Sequence, residues 1–275
     1  MKRLATISSL LAASLLFAIP AAAQKAYEPQ VGQAGKDVIW VPTPDEVVDR
    51  MLTMAQVKPN DVVFDLGAGN GKIAIAAAKK FGATATGIEY NADMAKHAQA
   101  NVVAAGVTAR ARIVQGDIFV TDFSSATVVT MYLLPALNLK LRPTILAMRP
   151  GTRVVSHSFT MEDWEPDEIS SMDGRRAYFW MVPANVNGGW TLETGSEKSE
   201  MTFEQRFQKL EGSIGLGHTQ GGLREPRLRG FSISFAYVDN GGVRREYSGR
   251  VNGGRMEGSY RGDNGSEGRW SATKK

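Results

Sequence analysis

The sequence predicts an α/β fold, a parallel strand sheet flanked by helices, followed by a small antiparallel β barrel or rolled sheet. Three observations carry the prediction. Between Asp61 and His157, short apolar runs alternate with longer helical patterns, which is the grammar of a parallel sheet with helices on both faces. The first run, Val62-Val63-Phe64, ends in Asp65 and then in glycines at alternate positions, Gly67, Gly69 and Gly71. Beyond Val186 the pattern changes: eighteen of the 29 glycines lie there, and polar and apolar residues alternate between Asn-Gly turn signals.

Taken in order, residues 1–23 have the form of an export signal. Lys2-Arg3 give a positive start, Leu10 to Ile19 an apolar stretch too short to span a bilayer comfortably, and Ala21-Ala22-Ala23 a small-residue cleavage site before Gln24. A periplasmic or secreted product, with no stable membrane insertion after cleavage, is therefore expected; an uncleaved N-terminal anchor is the alternative. Residues 24–41 carry no clear periodicity and read as an arm. Thr43-Pro44-Asp45-Glu46 predicts a helix start, with Thr43 as N-cap, Pro44 at the first helical position and Glu46 reaching back. Val47, Val48, Met51, Leu52 and Ala55 then form its apolar face.

Strand 61–66 leads to helix 72–81, and strand 84–89 to helix 92–105, with Asn91 as N-cap and Gly106 as the stop. Strand 110–115, strand 127–132, helix 136–148 and strand 152–157 complete the alternation. Ligands of such sheets lie outside the carboxyl ends of the strands, and Asp65, Glu89, Asp117, Tyr132 and His157 all fall at or near those ends. One chemical surface is implied. A glycine turn between strand and helix lets backbone approach a ligand and aims free helical N–H groups at it. The spacing fits neither the dinucleotide fingerprint, which wants glycine at Lys72, nor the P-loop, which wants it at Leu66.

Composition narrows the function classes. The chain is 43% hydrophobic and 22% charged, so it is globular, and a net charge of +4 without a basic run argues against a nucleic-acid partner. It has no cysteine, and its histidines, at 97, 157 and 218, lack metal-ligand spacing, so no metal site is expected.

Asp65-Leu-Gly-Ala-Gly-Asn-Gly71 closely resembles the glycine turn of class I S-adenosylmethionine (SAM) methyltransferases, with Glu89 and Asp117 at the ends of the next two strands. The resemblance implies a Rossmann-like sheet of seven strands and SAM as cofactor. It implies that the Asp65 to Gly71 turn, with Gly67 and Gly69, lies under the amino-acid part of SAM. Glu89 would take the ribose hydroxyls, and Asp117-Ile118 would lie at the adenine. Val41-Pro42-Thr43-Pro44, Tyr132-Leu-Leu-Pro135, Arg153-Val-Val-Ser156, Trp164-Glu-Pro166 and Tyr178-Phe-Trp-Met-Val-Pro183 bring the likeness closer. Together they resemble the family of protein-lysine N-methyltransferases that includes the mitochondrial enzyme acting on the ring-forming c protein of ATP synthase. The likeness covers roughly residues 38–184; it departs at Asn70 and Lys72, where the family has Asp and Arg, swaps that largely keep size and hydrogen bonding.

The acceptor implied is a protein lysine, with a small molecule as the other methyltransferase option. Tyr132 stands where amino-methylating enzymes of nucleic acids carry an acid or amide, which again argues against a base as substrate. Tyr132 and His157 are the candidates for orienting or deprotonating the acceptor amine; a wall residue and a satisfied strand-end histidine are the competing readings. Trp40 to Pro44 is the candidate cofactor lid, against simple packing of Trp40 onto the sheet. Trp164-Glu-Pro166 and the segment ending at Phe159 are expected to rim the entrance. Export conflicts with SAM, a cytoplasmic metabolite, so a non-catalytic exported protein whose β domain binds a ligand or envelope partner is the alternative function.

The chain therefore divides into a signal at 1–23, a SAM-dependent methyltransferase domain at 24–184 and an all-β domain at 185–275. In the last, Asn-Gly-Gly at 187, 240 and 252 and Asn264-Gly265 signal turns; Phe231, Ile233, Phe235 and Tyr237 share one face; and Gly249, Gly258, Gly262 and Gly268 permit barrel bends. Its Tyr247-Ser-Gly-Arg and Tyr260-Arg-Gly repeats resemble small lipocalin-like modules, with aromatics expected as core in preference to a ligand cup.

Overall fold

The computed structural model describes residues 27–275, so the expected export signal lies outside the described residues. No helix among them is long and apolar enough to cross a membrane. The first sheet has seven strands in the order β3-β2-β1-β4-β5-β7-β6. These are β1 Val62–Leu66, β2 Thr84–Glu89, β3 Ala111–Gln115, β4 Val128–Met131, β5 Arg153–His157, β6 Glu168–Met172 and β7 Arg175–Met181. The first five pair in parallel. Helices α1 Asp45–Met54, α2 Lys72–Phe81, α3 Ala92–Ala104 and α4 Pro135–Leu146 cover the faces. Strand order reverses between β1 and β4, which opens a crevice at their carboxyl ends.

Most boundaries predicted from periodicity fall within two residues of those observed, because buried strands and amphipathic helices leave strong signals. Asn91 caps α3 as expected, its side chain accepting from the Asp93 and Met94 N–H groups at 3.0 and 2.9 Å. Three expectations are corrected. The α1 cap is Pro44, without a side-chain cap, because the Thr43 hydroxyl is taken instead by the His157 imidazole, 3.2 Å away. Glu46 faces Arg175 across the surface at 3.5 Å. The sheet is not wholly parallel: β6 and β7 are joined by Asp173-Gly174 with φ of 46° and 77°, a two-residue turn that permits only antiparallel pairing.

The second sheet has nine antiparallel strands in the order β11-β10-β9-β8-β16-β15-β14-β13-β12. They are β8 Gly188–Thr194, β9 Glu197–Arg206, β10 Lys209–Leu216, β11 Thr219–Gly222, β12 Arg224–Arg229, β13 Ser232–Val238, β14 Arg244–Asn252, β15 Arg255–Gly262 and β16 Glu267–Lys274. The sheet rolls into a nearly closed barrel: Asn240 Nδ2, in the β13–β14 turn, reaches the Leu216 carbonyl at the end of β10 at 3.0 Å. Strong curvature explains the strand glycines. A Cβ on Gly258 would stand 2.6 Å from Gly249 Cα and closer still to the Ser248 carbonyl, so β14 and β15 approach too closely for any side chain there.

Trp190, Phe203, Phe235, Tyr247 and Trp270 fill the barrel, with Phe235 and Tyr247 stacked at 5.0 Å. The aromatics are core. Asn187-Gly188 is not a hairpin turn but the entrance to β8, where Asn187 Oδ1 accepts from the Gln205 N–H at 3.1 Å. Phe231 leaves the barrel face and packs under the Arg250 guanidinium at 3.8 Å, against Gly151 of the first sheet's β4–β5 connection.

Trp164 also proves to be a joint between the two sheets. It is fully buried, stacks on Phe207 at 5.9 Å and donates from Nε1 to Gln208 at 3.0 Å, so it does not rim an entrance. Around it Lys209 pairs with Glu165 at 2.7 Å and Arg206 with Asp163 at 3.2 Å.

Candidate functional site

At the carboxyl ends of β1 and β4 lies a cavity of about 280 Å³. Its floor is the glycine turn. The N–H groups of Gly67 and Ala68 both donate to the Ile88 carbonyl, at 3.0 and 2.9 Å, which ties the turn to the neighbouring strand. Gly69 N–H donates to Glu89 Oε2 at 2.9 Å, and Glu89 Oε1 accepts from Asn91 N–H at 2.9 Å. Glu89 thus locks turn and strand end into one piece while its remaining lone pairs stay free for a hydroxylated ligand.

Asp65, the penultimate residue of β1, is 2% exposed. Thr130 on β4 donates to it at 2.8 Å, but burial dominates and pushes its pKa up to about 7, with the nearby Glu89 charge adding to the rise. Burial raises Glu89 as well, against its backbone donors. Two acids held with raised pKa values in one cavity want a cationic or hydrogen-bond-donating ligand. Asp117 closes the far end; the Lys36 ammonium, 2.7 Å away, is the main cause of its pKa lying below the usual range, with the Phe119 N–H next. Ile118 lines the cavity beside it, and no hydrogen bond engages its N–H among the described residues.

The roof is the arm. Residues 32–40 form a small hairpin, held by Gly32 N–H to the Trp40 carbonyl at 2.9 Å and Trp40 N–H to the Gln33 carbonyl at 2.9 Å. Trp40 lies on the glycine turn: a Cβ on Gly69 would stand 2.4 Å from Trp40 Nε1. The space above Gly69 is thus reserved for a close approach, which is why glycine with φ of 52° sits there.

One wall is apolar, formed by Tyr132, Leu134, Leu137 and Phe159. Tyr132 stacks toward Phe159 at 6.1 Å and lies over His157 at 4.0 Å. His157 itself does not line the cavity. It is 3% exposed behind Tyr132, bonded to Thr43, and burial, aided by the Arg175 charge, lowers its pKa to about 4, so the ring is neutral at neutral pH.

The structure therefore brings Asp65, Gly67, Gly69, Glu89, Asp117, Ile118 and Tyr132 around one cavity. Gly71 stands behind it, capping α2 in the left-handed conformation, where a Cβ would be 3.3 Å from Ala98 and Ile113. Lys36, Tyr90 and Leu137 also line the cavity and leave no sequence signal, since only tertiary folding brings the arm and the β2 end together.

These residues fit SAM. A mixed lining, with Asp65, Glu89 and Asp117 set against an apolar wall, suits a cationic group joined to a ribose and a flat base. Among the described residues, no cluster of metal-ligand type accompanies them.

Comparison with known proteins agrees. Residues 65–168 match the family model described as the ANTKMT methyltransferase domain. A protein-lysine N-methyltransferase of Saccharolobus islandicus is 48% identical over 138 residues, spanning 50% of this chain and 86% of that protein. The human lysine N-methyltransferase named for the c protein of ATP synthase is 28% identical over 132 residues, and the chain spans about half of it, 56%. A Salinibacter ruber protein described as an RNA methyltransferase, solved with S-adenosyl-L-homocysteine, is 48% identical, covering 53% of this chain and 96% of that one with a TM-score of 0.52. The family-model match runs from Asp65, just ahead of the glycine turn, to Glu168 at the start of β6. The chain belongs to the SAM-dependent methyltransferases, in the family of protein-lysine N-methyltransferases with the ANTKMT methyltransferase domain.

Proposed function

We propose that the protein methylates the ε-amine of a protein lysine, and that Tyr132 orients that amine. The observation that carries this is the wall of Tyr132, Phe159, Leu134 and Leu137 on the same cavity as Asp65 and Gly67. SAM, when bound, supplies an electrophilic methyl group and a neutral leaving group. The protein's own task is to align a nucleophile, hold it as free amine and exclude water. An apolar slot disfavours the ammonium and lowers the pKa of a lysine entering it. The Tyr132 hydroxyl, which has no hydrogen-bond partner among the described side chains, is free to accept from the amine and fix its direction. His157 holds the Tyr132 ring from behind, and Thr43 holds His157.

Tyr132-Leu-Leu-Pro135 offers no acid or amide to a planar base amine. The description of the Salinibacter ruber relative makes RNA the reading to test against. The N-terminal sequence directs the search for acceptors to envelope proteins.

The experiment incubates the full chain with methyl-labelled SAM and, separately, envelope protein, cytoplasmic protein and RNA from the source cell. Label should appear as methyl-lysine after hydrolysis of envelope protein. Tyr132→Phe should lower kcat at least about tenfold, the scale of one positioning contact, while SAM affinity stays within about twofold. Label confined to RNA would overturn the reading of the acceptor. An effect of Tyr132→Phe on SAM affinity alone would overturn the reading of Tyr132.

A further inference from the structure

The arm hairpin carries Lys36 at its tip, and the tip rests inside the cofactor cavity. Lys36 Nζ lies 2.7 Å from Asp117 Oδ2 and 4.7 Å from the centroid of the Tyr90 ring. The other oxygen of Asp117 accepts from Phe119 N–H at 2.9 Å, so both carboxylate oxygens are engaged. A cation on the face of an aromatic ring with a carboxylate at its edge has both contacts that a flat base with an exocyclic amine would use in the same place.

We propose that Lys36 is a built-in competitor for the adenine subsite, and that residues 32–40 form a strap which SAM must displace from Asp117 and Tyr90 before it can bind. The inference rests on the assignment of this cavity to SAM and adds a residue that sets its affinity. Two further observations support it. The cavity, at about 280 Å³, lies at the lower limit of pockets that enclose a ligand of this size, about 300 Å³ and upward. The arm supplies its roof from Gln33 to Thr43. The strap is also lightly held: its internal hydrogen bonds are those of one small hairpin, and the Lys36 side chain is 37% exposed, so release costs little.

The alternative is a roof that closes over bound cofactor and keeps its ion pair. The two make opposite predictions. Under competition, Lys36→Ala binds SAM about two- to fivefold more tightly than the wild type, the range set by a half-exposed ion pair. Adenosine shows the same ratio, since it occupies the same subsite, and the advantage shrinks in about 0.5 M salt, where the ion pair is screened.

The full chain is titrated with SAM and with adenosine by calorimetry, wild type beside Lys36→Ala. Trypsin cleavage after Lys36 is followed with and without SAM. Competition requires tighter binding by the variant and faster cleavage of the wild type when SAM is present. Weaker or unchanged binding by Lys36→Ala, or protection of Lys36 by SAM, overturns the proposal while leaving the cofactor site intact. Failure of both proteins to bind SAM overturns the site assignment and the strap with it.

Discussion

Asp65→Asn is expected to bind SAM at least about 100-fold more weakly than the wild type and yet to unfold at a higher temperature at pH 8. The first effect follows from position. Asp65 is a buried carboxylate on the cavity, and removing the charge from such a group costs a ligand cation or donor a few kcal/mol, or about two decades of affinity. The second follows from the same burial. Its folded pKa of about 7 lies above the unfolded value, so the native state holds the proton more tightly. Stability is lost as pH rises from about 4 to 7, by roughly 4 kcal/mol for a shift of this size. Asparagine keeps the shape and the Thr130 contact without the charge. The gain in melting temperature should vanish toward pH 4, where wild-type Asp65 is itself neutral. In the wild type, SAM affinity should fall below about pH 7 by up to tenfold per unit, and in Asp65→Asn that slope should be absent. Calorimetry and thermal melts across pH 4 to 8 check all three. An unchanged affinity in the variant would show that Asp65 is scaffold only.

Asp61→Ala is expected to destabilise the fold by about 3–5 kcal/mol while leaving SAM affinity of the folded protein unchanged. Asp61 lies at the opposite end of β1 from the cavity and is 6% exposed. It accepts from Lys58 N–H at 2.7 Å, from Thr127 Oγ1 at 2.7 Å and from the Arg153 guanidinium. Arg153 in turn donates to the carbonyls of Ala55 and Gln56 at 2.8 and 3.0 Å. One carboxylate therefore joins the end of α1 to the starts of β1, β4 and β5, and its loss leaves a guanidinium with no counter-charge. Burial pushes the Asp61 pKa up, but Arg153, Thr127 and the Lys58 N–H outweigh it and hold the carboxyl below its usual range. A depressed folded pKa gives stability that is present above the unfolded value near 4 and is lost as pH falls through the folded one. The penalty of Asp61→Ala, read from denaturant melts, should be full at neutral pH and shrink in acid. A loss of SAM affinity in step with stability would mean that the two ends of the sheet are coupled.

Much of this was legible in the sequence because the site lies on regular elements. Asp65, Gly67, Gly69, Glu89 and Asp117 each lie in the last residues of a strand or just beyond it, and strand ends can be located from the sequence pattern. The β barrel was legible for a related reason: Asn-Gly turns and glycines inside strands mark a tightly curved antiparallel sheet. What was hidden lies where the chain has no period. The arm hairpin bridges Ala34 to Ile39 by a single pair, so nothing in its sequence announces that Lys36 reaches Asp117 across 81 positions. Thr43 misled for a physical reason, since a hydroxyl beside a proline fits a helix cap equally well until a buried imidazole competes for it. Trp164 likewise reads as a rim residue until the β9–β10 turn folds over it. Gly71 continued the alternation of the glycine turn, yet its role is to let α2 pack against Ala98 and Ile113.

Calorimetric titration of SAM into the full chain, with Glu89→Ala beside the wild type, decides whether this cavity is the cofactor site. Glu89 binds the glycine turn through Gly69 and faces the cavity, so the variant loses both the floor and one acid. The wild type should bind one SAM per chain at micromolar concentration and Glu89→Ala at least about tenfold more weakly, the cost of a charge-assisted hydrogen bond. A wild-type protein that takes up no SAM at millimolar concentration would contradict the account and leave the barrel as the place to seek a function.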